Sequence, residues 1–306
     1  MTKIAIIILN WKQPKLTIDT VNSVLKINQK NIDFHIYLLD NNSQDTSIDD
    51  FENSFSINKK ISILNTGSNL GYTGNNWGIR KAINSDNYDY ILLLNNDVIV
   101  DKDFLYELIK KAKSIKIPAL VGPKIYFAPH YEYHKDRYKD NEIGNVIWFA
   151  GGKIDWNNIY GSNIGVDEVD KGQYDNHDIP IDFLTGCCLL IDTKIINTIG
   201  MLDKRYFMYL EDMDYSQRVK LSGFKLLFAS KSKIWHVNSG SSGSGSKLHD
   251  YFISRNRLMF GFKYATFRTK FALFRESIKL LIIGRKYVKK GIIDYFTKNL
   301  GKGSWL

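Results

Sequence analysis

Four apolar segments in the first hundred residues each end in polar residues, and they recur at intervals of about 30 residues. Continuous β-branched runs of this kind are typical of strands that are buried on both faces of a parallel sheet. The stretches between them carry apolar residues at helical spacing, as after Pro14. This alternation predicts βαβ units and a doubly wound α/β fold. The segments run from Lys3 to Leu9, Phe34 to Leu39, Ile61 to Leu64 and Tyr90 to Leu94.

The polar ends of these segments predict a ligand crevice. In open α/β sheets, ligands bind beyond the carboxyl ends of the strands. Five residues of the chain occupy that position, so we expect them to lie near one another at one edge of the sheet. They are Asn10, Asp40, Asn42, Gly71 and Asp97.

A cluster of acidic residues adds candidate chemistry in the second half of the chain. Glu211, Asp212 and Asp214 fall within four positions at the start of a predicted helix. Capping of a helix N-terminus does not require so many carboxylates. We therefore interpret part of this cluster as functional.

A histidine completes the candidate set. His236 follows Trp235 at the end of an apolar stretch, directly before the glycine- and serine-rich segment Ser239 to Ser246. We interpret that segment as an active-site loop rather than an inert linker. A single Asp is usually a turn former, and a single His beside Trp is usually packed on the surface. Together with the acidic cluster, however, Asp97 and His236 predict one divalent-metal site with a general base.

Eight motifs in order give the sequence a family resemblance. It resembles the family 2 inverting glycosyltransferases of the GT-A fold, in particular the rhamnosyltransferase-like branch that builds bacterial and archaeal surface polysaccharides. The resemblance covers roughly residues 3 to 260, and the order and spacing of the motifs are far more specific than any one of them. The motifs are ILNWK, LLDNNS, NLGYTGNNWGI, LLLNND, TGCCLLI, IGMLDKRYFMYLEDMDYSQRV, IWH and YFISRNRLMF.

The resemblance implies a nucleotide site in the first half of the chain. Asp40 matches the acidic residue that accepts a hydrogen bond from the pyrimidine ring of the nucleotide. Gly71 would let the main chain approach the ligand closely. The remaining nucleotide-binding residues that the resemblance implies are Leu9, Asn10, Asn42, Asn76 and Asn96.

The resemblance also implies a metal ion. Asp97 matches the last acid of the Asp-x-Asp motif, which holds Mn²⁺ or Mg²⁺ against the diphosphate. The chain has Asn95 where the motif has its first acid, so the protein contributes one carboxylate fewer. His236 matches a metal ligand of several relatives, and its help is expected here because of that loss.

The catalytic and sugar-binding roles fall in the second half. Asp212 matches the catalytic base, which would take the proton of the acceptor hydroxyl in an inverting transfer. Glu211 is expected to bind sugar hydroxyls rather than act as the base. Gly186, Trp148 and Arg255 are expected near the donor sugar or the acceptor.

The charge of the chain is concentrated at its C-terminal end. The net charge is +10, but the 60 residues from Lys247 to Leu306 hold 14 Lys and Arg against three acids, and the remainder has a net charge of −1. Between Phe267 and Leu281, apolar residues recur at helical spacing with basic residues interleaved. This pattern predicts a basic amphipathic helix at an anionic membrane surface. Packing on the catalytic domain and homo-oligomerisation are the alternatives, and nucleic acid is not expected.

These observations divide the chain and indicate its compartment. We expect a GT-A catalytic domain over residues 1–246, with a nucleotide-sugar half to about 125 and an acceptor half beyond it, and a basic helical module over 247–306. The adjacent Cys187 and Cys188 are expected to be buried free thiols. With no signal peptide expected before Ile4 and no apolar run of 18 residues, we predict a cytoplasmic protein, peripheral on the cytosolic face of the membrane.

The expected activity is an inverting, metal-dependent transfer of a sugar from a nucleoside diphosphate to a lipid-linked or growing glycan. The branch that the sequence resembles favours dTDP-rhamnose as donor, with UDP-hexoses and UDP-N-acetyl sugars as alternatives. A sugar-phosphate nucleotidyltransferase is an alternative of another class, but it normally has a basic, glycine-rich phosphate loop after the first strand. The sequence here is Asn10-Trp-Lys-Gln-Pro14. A non-enzymatic basic binding module would not need the Asp97, Asp212 and His236 set.

Overall fold

The computed structural model describes residues 1–175, 179–237 and 245–305. Within these ranges the order of elements follows the predicted alternation of strands and helices in the first half, and helices predominate at the C-terminal end. The strands are β1 (Thr2–Asn10), β2 (Ile32–Asp40), β3 (Ile61–Asn65), β4 (Tyr90–Asn95), β5 (Val98–Val100), β6 (Ala119–Phe127), β7 (Ile147–Phe149), β8 (Gly152–Asp155), β9 (Tyr160–Asn163), β10 (Cys188–Asp192) and β11 (Lys225–His236). The α-helices are α1 (Pro14–Leu25), α2 (Ser47–Phe55), α3 (Asn75–Ser85), α4 (Phe104–Ala112), α5 (Thr193–Ile199), α6 (Glu211–Leu221), α7 (Lys247–Tyr264), α8 (Phe267–Ile283) and α9 (Lys286–Phe296).

The central sheet has a parallel half and a mixed half. Its order is β3-β2-β1-β4-β10-β6-β11-β5, and β7 pairs with β6. Strands β3, β2, β1 and β4 run parallel, whereas β10 is antiparallel to both of its neighbours. Strand β1 lies inside this sheet, and Ile4, Ile6, Ile7 and Ile8 are fully buried. Burial of each such side chain contributes about 1.5–3 kcal/mol, which explains the unbroken apolar run. The predicted α/β fold is confirmed.

The sheet curls back on itself at one point. Strand β4 ends at Asn95 and β5 begins at Val98, yet β10, β6 and β11 lie between these two strands in the order of the sheet. Two residues, Asn96 and Asp97, therefore join the middle of the sheet to its far edge. The edge strand β5 is held there by antiparallel pairing with the end of β11, where Val98 faces His236.

In the second half of the chain, the apolar run from Phe183 to Ile191 forms a strand only in its last part, because β10 begins at Cys188. Before β10, Phe183 makes an isolated β-bridge with Gly152, and the main-chain N–H of Leu184 donates to the Ser216 hydroxyl at 3.1 Å. Both cysteines are buried free thiols, as predicted.

The C-terminal helices pack on the catalytic part. Leu258 and Phe260 of α7, Leu273 of α8 and Ile292 of α9 belong to the same buried apolar cluster as the strands of the central sheet. No helix of the described ranges combines the length and apolar character needed to cross a bilayer. Most of the glycine- and serine-rich segment, residues 238–244, lies outside the described residues, so its interpretation as an active-site loop stays a prediction.

Candidate active site

A chain of hydrogen bonds joins the carboxyl ends of three parallel strands. Asn10, the last residue of β1, donates from its side-chain amide to Asp40 Oδ1 at 2.9 Å. Its own amide oxygen accepts a bond of 2.8 Å from the Thr17 hydroxyl. The same hydroxyl accepts from the Asn96 amide at 2.9 Å. The sequence-predicted residues Asn10, Asp40 and Asn96 thus lie together at one edge of the sheet.

The Asp40 carboxylate is enclosed by protein donors. It is almost fully buried and accepts from Asn10, from the main-chain N–H of Ser43 at 2.9 Å and from the Asn65 amide at 3.3 Å. The Ser43 hydroxyl donates to it as well. This shell holds the carboxylate in one orientation. A contact of Asp40 with a pyrimidine ring stays a prediction, because its oxygens have protein partners in this structure.

The glycine turn after β3 is shaped by packing inside the protein. Gly71 has a positive φ of 61°, and a Cβ there would lie 2.3 Å from the Phe207 carbonyl oxygen. The turn is also held by Asn41, whose amide donates to the Gly71 carbonyl at 3.1 Å. Sequence reasoning did not single out Asn41, although its place directly after Asp40 is a signal for it. Asn42 beside it has a left-handed φ of 58°.

Two further predicted nucleotide residues differ in their surroundings. Leu9 is half-buried at the end of β1. Asn76 is buried in α3, where its amide donates to the Leu202 carbonyl at 2.8 Å and its oxygen accepts from the Leu202 N–H at 3.1 Å. Both polar ends of Asn76 are therefore used to bind the chain before α6.

Asp97 and His236 lie close together where β5 pairs with the end of β11. His236 Nε2 lies 3.3 Å from Asp97 Oδ1, and the Val237 N–H donates to the Asp97 carbonyl at 2.8 Å. Both side chains are mostly buried. The 139 positions that separate them in the sequence are bridged by the pairing of β5 with β11. The structure thus brings together the two residues that were predicted to bind metal.

The polar atoms of this pair fit a divalent cation. Asp97 Oδ1 and His236 Nδ1 are both buried, and neither has a hydrogen-bond partner among the described residues. A buried oxygen and ring nitrogen without partners are costly unless another group, such as a cation, binds them. Within the described ranges, no group of three or more His, Cys, Asp or Glu side chains is placed to hold a metal. Mg²⁺-type sites often use only one or two protein ligands, with water and substrate phosphates supplying the rest.

The acidic pair at the start of α6 is buried and has shifted pKa values. Asp212 accepts hydrogen bonds from the main-chain N–H groups of Gly186 at 3.0 Å and Met213 at 2.7 Å. Burial raises the pKa of Asp212, and these two donors oppose the rise. Burial, followed by repulsion from Asp212, raises the pKa of Glu211 well above its ordinary range. Glu211 Oε2 has no partner among the described residues. A carboxylate whose pKa is raised toward neutrality is suited to take up a proton.

Gly186 connects the acidic pair to the Asp97 side of the crevice. Its N–H binds Asp212, and the carbonyl of the next residue, Cys187, accepts from the Asn95 N–H at 2.9 Å. A Cβ on Gly186 would lie 2.5 Å from the hydroxyl of Tyr72, which donates to the Gly186 carbonyl. Burial and the nearby carboxylates raise the pKa of the Tyr72 phenol. Tyr72, in the GYTG turn, was missed as a site residue.

The comparison with family models decides the family. The model described as glycosyltransferase-like family 2 matches residues 2–261, which is most of the chain. The chain belongs to this family. The match extends through most of α7 and past the predicted domain boundary at residue 246.

Curated relatives of this family 2 chain include two sugar transferases. It is 22% identical over 224 residues to the low-salt glycan biosynthesis hexosyltransferase Agl10 of Haloferax volcanii, covering 71% of the chain and 62% of the relative. It is 31% identical over 70 residues to the N-acetylglucosaminyl-diphospho-decaprenol L-rhamnosyltransferase of Mycobacterium tuberculosis, covering 23% of each protein. The chain thus spans less than two thirds of the length of either relative.

Solved structures show the same fold at low sequence identity. GalNAc-T7, solved with UDP, GalNAc and Mn²⁺, gives a TM-score of 0.61 at 14% identity, covering 97% of this chain and 58% of that one. The mannosyltransferase PcManGT of Pyrobaculum calidifontis, solved with GDP-Man and Mn²⁺, gives a TM-score of 0.55 at 7% identity, covering 96% and 74%. The fold of the family 2 chain is that of the GT-A glycosyltransferases.

Trp148 of the family 2 chain lies beside His236, one of the two candidate metal ligands. It is half-buried on β7, and its ring meets the His236 imidazole edge to face, with centroids 4.6 Å apart. Trp148 was predicted near the acceptor. It forms a wall next to the candidate metal ligand.

The Arg255 side chain is fully buried, and its guanidinium donates to the main-chain carbonyls of Tyr206 at 2.8 Å and Gly301 at 2.6 Å. These donors hold the chain before α6. A contact of Arg255 with sugar or acceptor stays a prediction.

Asn256 completes this support. Its amide donates to three carbonyls, those of Tyr206 at 3.0 Å, Met208 at 2.7 Å and Tyr209 at 2.9 Å. This segment is strained, because Phe207, Tyr209 and Leu210 all have left-handed φ values between 63° and 68°. This strained turn directly precedes α6, so that Glu211 and Asp212 are the first two residues of the helix. We call Arg255 and Asn256 the turn clamp.

Proposed function

We propose that the chain is an inverting, metal-dependent glycosyltransferase that moves a sugar from a nucleoside diphosphate to a glycan acceptor. One observation carries this proposal. The Asp212 carboxylate is bound by the Gly186 N–H, and the next residue, Cys187, is bonded to the strand end that leads into Asp97. The dipeptide Gly186-Cys187 therefore binds Asp212 at one end and, at the other, Asn95, two residues before Asp97.

Asp212 has the surroundings of a base. Two main-chain donors fix its carboxylate, so it would meet an acceptor hydroxyl without first rearranging. Its raised pKa lets it accept the hydroxyl proton as the bond to the anomeric carbon forms on the face opposite the departing nucleoside diphosphate. Glu211, with one oxygen unpartnered, would bind a sugar hydroxyl.

Asp97 and His236 would hold Mn²⁺ or Mg²⁺ with oxygens of the diphosphate. Such an ion stabilises the charge that develops on the leaving phosphates. The asparagine at position 95 leaves Asp97 as the carboxylate of the motif. The imidazole of His236, 3.3 Å from that carboxylate, is the second protein ligand. GalNAc-T7 and PcManGT were both solved with Mn²⁺, which supports this assignment.

The donor that we propose is dTDP-rhamnose, and UDP-hexoses are the alternative. The support is the resemblance to rhamnosyltransferases and the short match to the mycobacterial L-rhamnosyltransferase. The match to a hexosyltransferase over a longer stretch supports the alternative. Asn10, Asp40 and Asn96, with Leu9, Asn42, Gly71 and Asn76 around them, would bind or shape the site of the pyrimidine nucleotide.

A lipid-linked acceptor and a membrane surface belong to the same proposal. On α8, Phe267, Phe271, Ile278 and Ile282 are exposed apolar side chains. The basic residues Arg268, Arg275 and Lys279 are exposed on the same helix. Burial of the apolar side chains in the interface and attraction of the cations to anionic lipid would hold the protein at the cytosolic face of a membrane.

The test combines nucleotide binding and turnover. With Mn²⁺, dTDP or UDP should raise the melting temperature of the protein, and the sugar nucleotide that is consumed identifies the donor. Asp212→Asn should reduce transfer by about 10²–10⁴-fold while nucleotide binding is kept. Asp155→Asn, at an exposed hairpin carboxylate, is the matched control. Normal transfer by Asp212→Asn would refute the base assignment, and absence of stabilisation by any nucleotide would refute the proposed activity.

A further inference from the structure

The C-terminal helices enclose a second cavity, away from the Asp97 and Asp212 crevice. It has a volume of about 580 Å³ and lies between α7, α8 and α9, with Tyr160 of β9 at one side. This volume is within the range of about 300–1,000 Å³ that small-molecule sites occupy. Much of its lining is aliphatic, from Ile253, Leu258, Leu273, Leu280, Val288 and Ile292.

The charged groups of this cavity are paired with one another. Arg257 and Glu276 form two parallel hydrogen bonds of 2.9 and 2.8 Å. Arg285 donates to Asp250 at 2.6 Å. Because Arg257 and Glu276 neutralise each other inside the cavity, the aliphatic part of the wall favours an apolar occupant.

The mouth of the cavity is continuous with the exposed apolar face of α8. Ile283 lines the cavity and is also 68% exposed, and the neighbouring Ile282 is 72% exposed. Arg285 lies beside them, with 67% of its side chain exposed, and one of its five N–H groups donates to Asp250. An apolar entrance next to an accessible guanidinium matches a molecule with a hydrocarbon chain and an anionic head.

The cavity also adjoins the elements that carry the catalytic groups. His249, in its wall, packs edge to face on Tyr209, with ring centroids 5.6 Å apart. Tyr209 is two residues before Glu211. A head group at the mouth would therefore be near the turn that leads to Glu211 and Asp212.

We propose that this cavity binds the hydrocarbon chain of a lipid phosphate, the class of lipid on which the acceptor glycan is carried. The chain lies against the aliphatic wall, and the phosphate is bound by Arg285 at the mouth. This inference rests on the proposed function, because the cavity would bind the lipid part of the acceptor whose glycan part is bound in the active site.

The experiment titrates farnesyl diphosphate, a short lipid diphosphate, into the full chain by calorimetry in the presence of EDTA. EDTA removes the divalent metal that a diphosphate needs at Asp97 and His236. Ser254 lines the cavity, and its hydroxyl donates to the carbonyl of Asp250, four residues earlier, at 2.6 Å. Ser254→Phe fills part of the cavity and should weaken binding about tenfold or more, which corresponds to exclusion of about two methylene groups.

A matched control tests whether the effect belongs to the cavity. Ser54 is an exposed helical serine whose hydroxyl donates in the same way to Asp50, at 2.7 Å. Ser54→Phe should leave the affinity unchanged. Ile283→Asn, at the exposed mouth, should weaken binding without a loss of folding, and it covers the case in which Ser254→Phe does not fold. Ile293→Asn, at an exposed position outside the lining, is its control.

Several outcomes would overturn the proposal. These are absence of farnesyl diphosphate binding, equal binding of inorganic diphosphate, or unchanged affinity in both cavity variants. A change of sedimentation mass in Ser254→Phe, with lipid affinity kept, would make the cavity a contact between two copies. Stabilisation by nucleotide and Mn²⁺ is measured separately, so a failure of the lipid site is distinguished from a failure of the proposed activity.

Discussion

Three residues at the site each have a buried polar atom that makes no hydrogen bond within the described part of the chain, and this lowers the stability of the ligand-free protein. Asp97 Oδ1, His236 Nδ1 and Glu211 Oε2 are buried polar atoms without partners among the described residues. An unsatisfied buried polar group costs about 1–3 kcal/mol. These three atoms lie on residues for which we propose contacts with metal or sugar, and such contacts would remove this cost.

His236 provides the sharpest test of the metal site. His236→Ala should raise the Mn²⁺ concentration needed for half-maximal transfer at least about tenfold, because a protein ligand is lost. The measurement is a titration of activity with Mn²⁺. His134 is a suitable control, since it lies 3.7 Å from Asp167 in a similar but exposed pair. Equal Mn²⁺ requirements for His236→Ala and the wild type would remove His236 from the metal site.

Glu211 should make the stability of the protein depend on pH. Below the ordinary glutamate pKa the group is protonated in both folded and unfolded states, so its ionisation costs nothing. As the pH rises through the window up to the raised folded pKa, the unfolded state ionises first and the folded protein loses stability.

Glu211→Gln should therefore be more stable than the wild type at neutral pH and lose the advantage in acid. Each kcal/mol of penalty removed would raise the melting temperature by about 2–4 °C. Melting curves from pH 4 to 8 measure the difference, with the exposed Glu52→Gln as control. A difference that does not change with pH would contradict the assignment of the buried carboxyl.

At the scale of elements, α7 supports Asp212, the proposed base, at the start of α6. The turn clamp binds the strained turn before α6, and Asp214 inside α6 accepts from Lys263 at 2.7 Å and Tyr264 at 2.8 Å, both in α7. The two helices are thus bonded on both sides of Asp212, so residues of α7 fix its position.

Asn256→Ala should lower the turnover number more than it lowers nucleotide affinity. The carbonyls of Met208 and Tyr209 lose this donor, whereas that of Tyr206 keeps Arg255, so the fold should be destabilised by about 2 kcal/mol. Displacement of Asp212 should slow transfer at least about tenfold. Turnover and nucleotide affinity are measured below the melting temperature, with the exposed Asn145→Ala as control. A loss of stability with unchanged turnover would make Asn256 purely structural.

The parallel half of the fold was predictable from sequence because its signals are local. The apolar runs gave β1 to β4, and the polar residue after each run located the crevice. Strand β5 and the late start of β10 were not predictable, since they depend on pairing between distant segments. The role of Arg255 was also beyond sequence reasoning. A buried arginine that binds main-chain carbonyls has the same local pattern as one that binds a sugar.

For the whole molecule, the segment that holds the excess positive charge, residues 247–306, also exposes apolar side chains. The basic helices α8 and α9 contribute Leu273 and Ile292 to the common core, yet α8 also leaves apolar side chains exposed. Packing on the catalytic part, one of the alternatives, therefore uses one side of the helices. The other side is available for the membrane contact that we propose.

The full chain should bind vesicles that contain phosphatidylglycerol and should not bind vesicles of phosphatidylcholine alone. Replacing the exposed Phe271 and Ile282 by Ser should reduce binding at least about tenfold, as the buried apolar area is lost. Co-sedimentation measures the bound fraction. Ile57→Ser, at a position that is 96% exposed on the catalytic part, should have no effect. Equal losses in both variants would place the contact elsewhere.

The curl of the central sheet has a mechanical consequence. Asn96 and Asp97 connect the middle of the sheet to β5 at its far edge, and His236 is the last residue of β11, the strand that pairs with β5. A cation bound by Asp97 and His236 would hold β5 against β11. Amide protons of Val98 and Ile99 should then exchange with solvent more slowly as the cation is added, so that the edge strand reports occupancy of the centre.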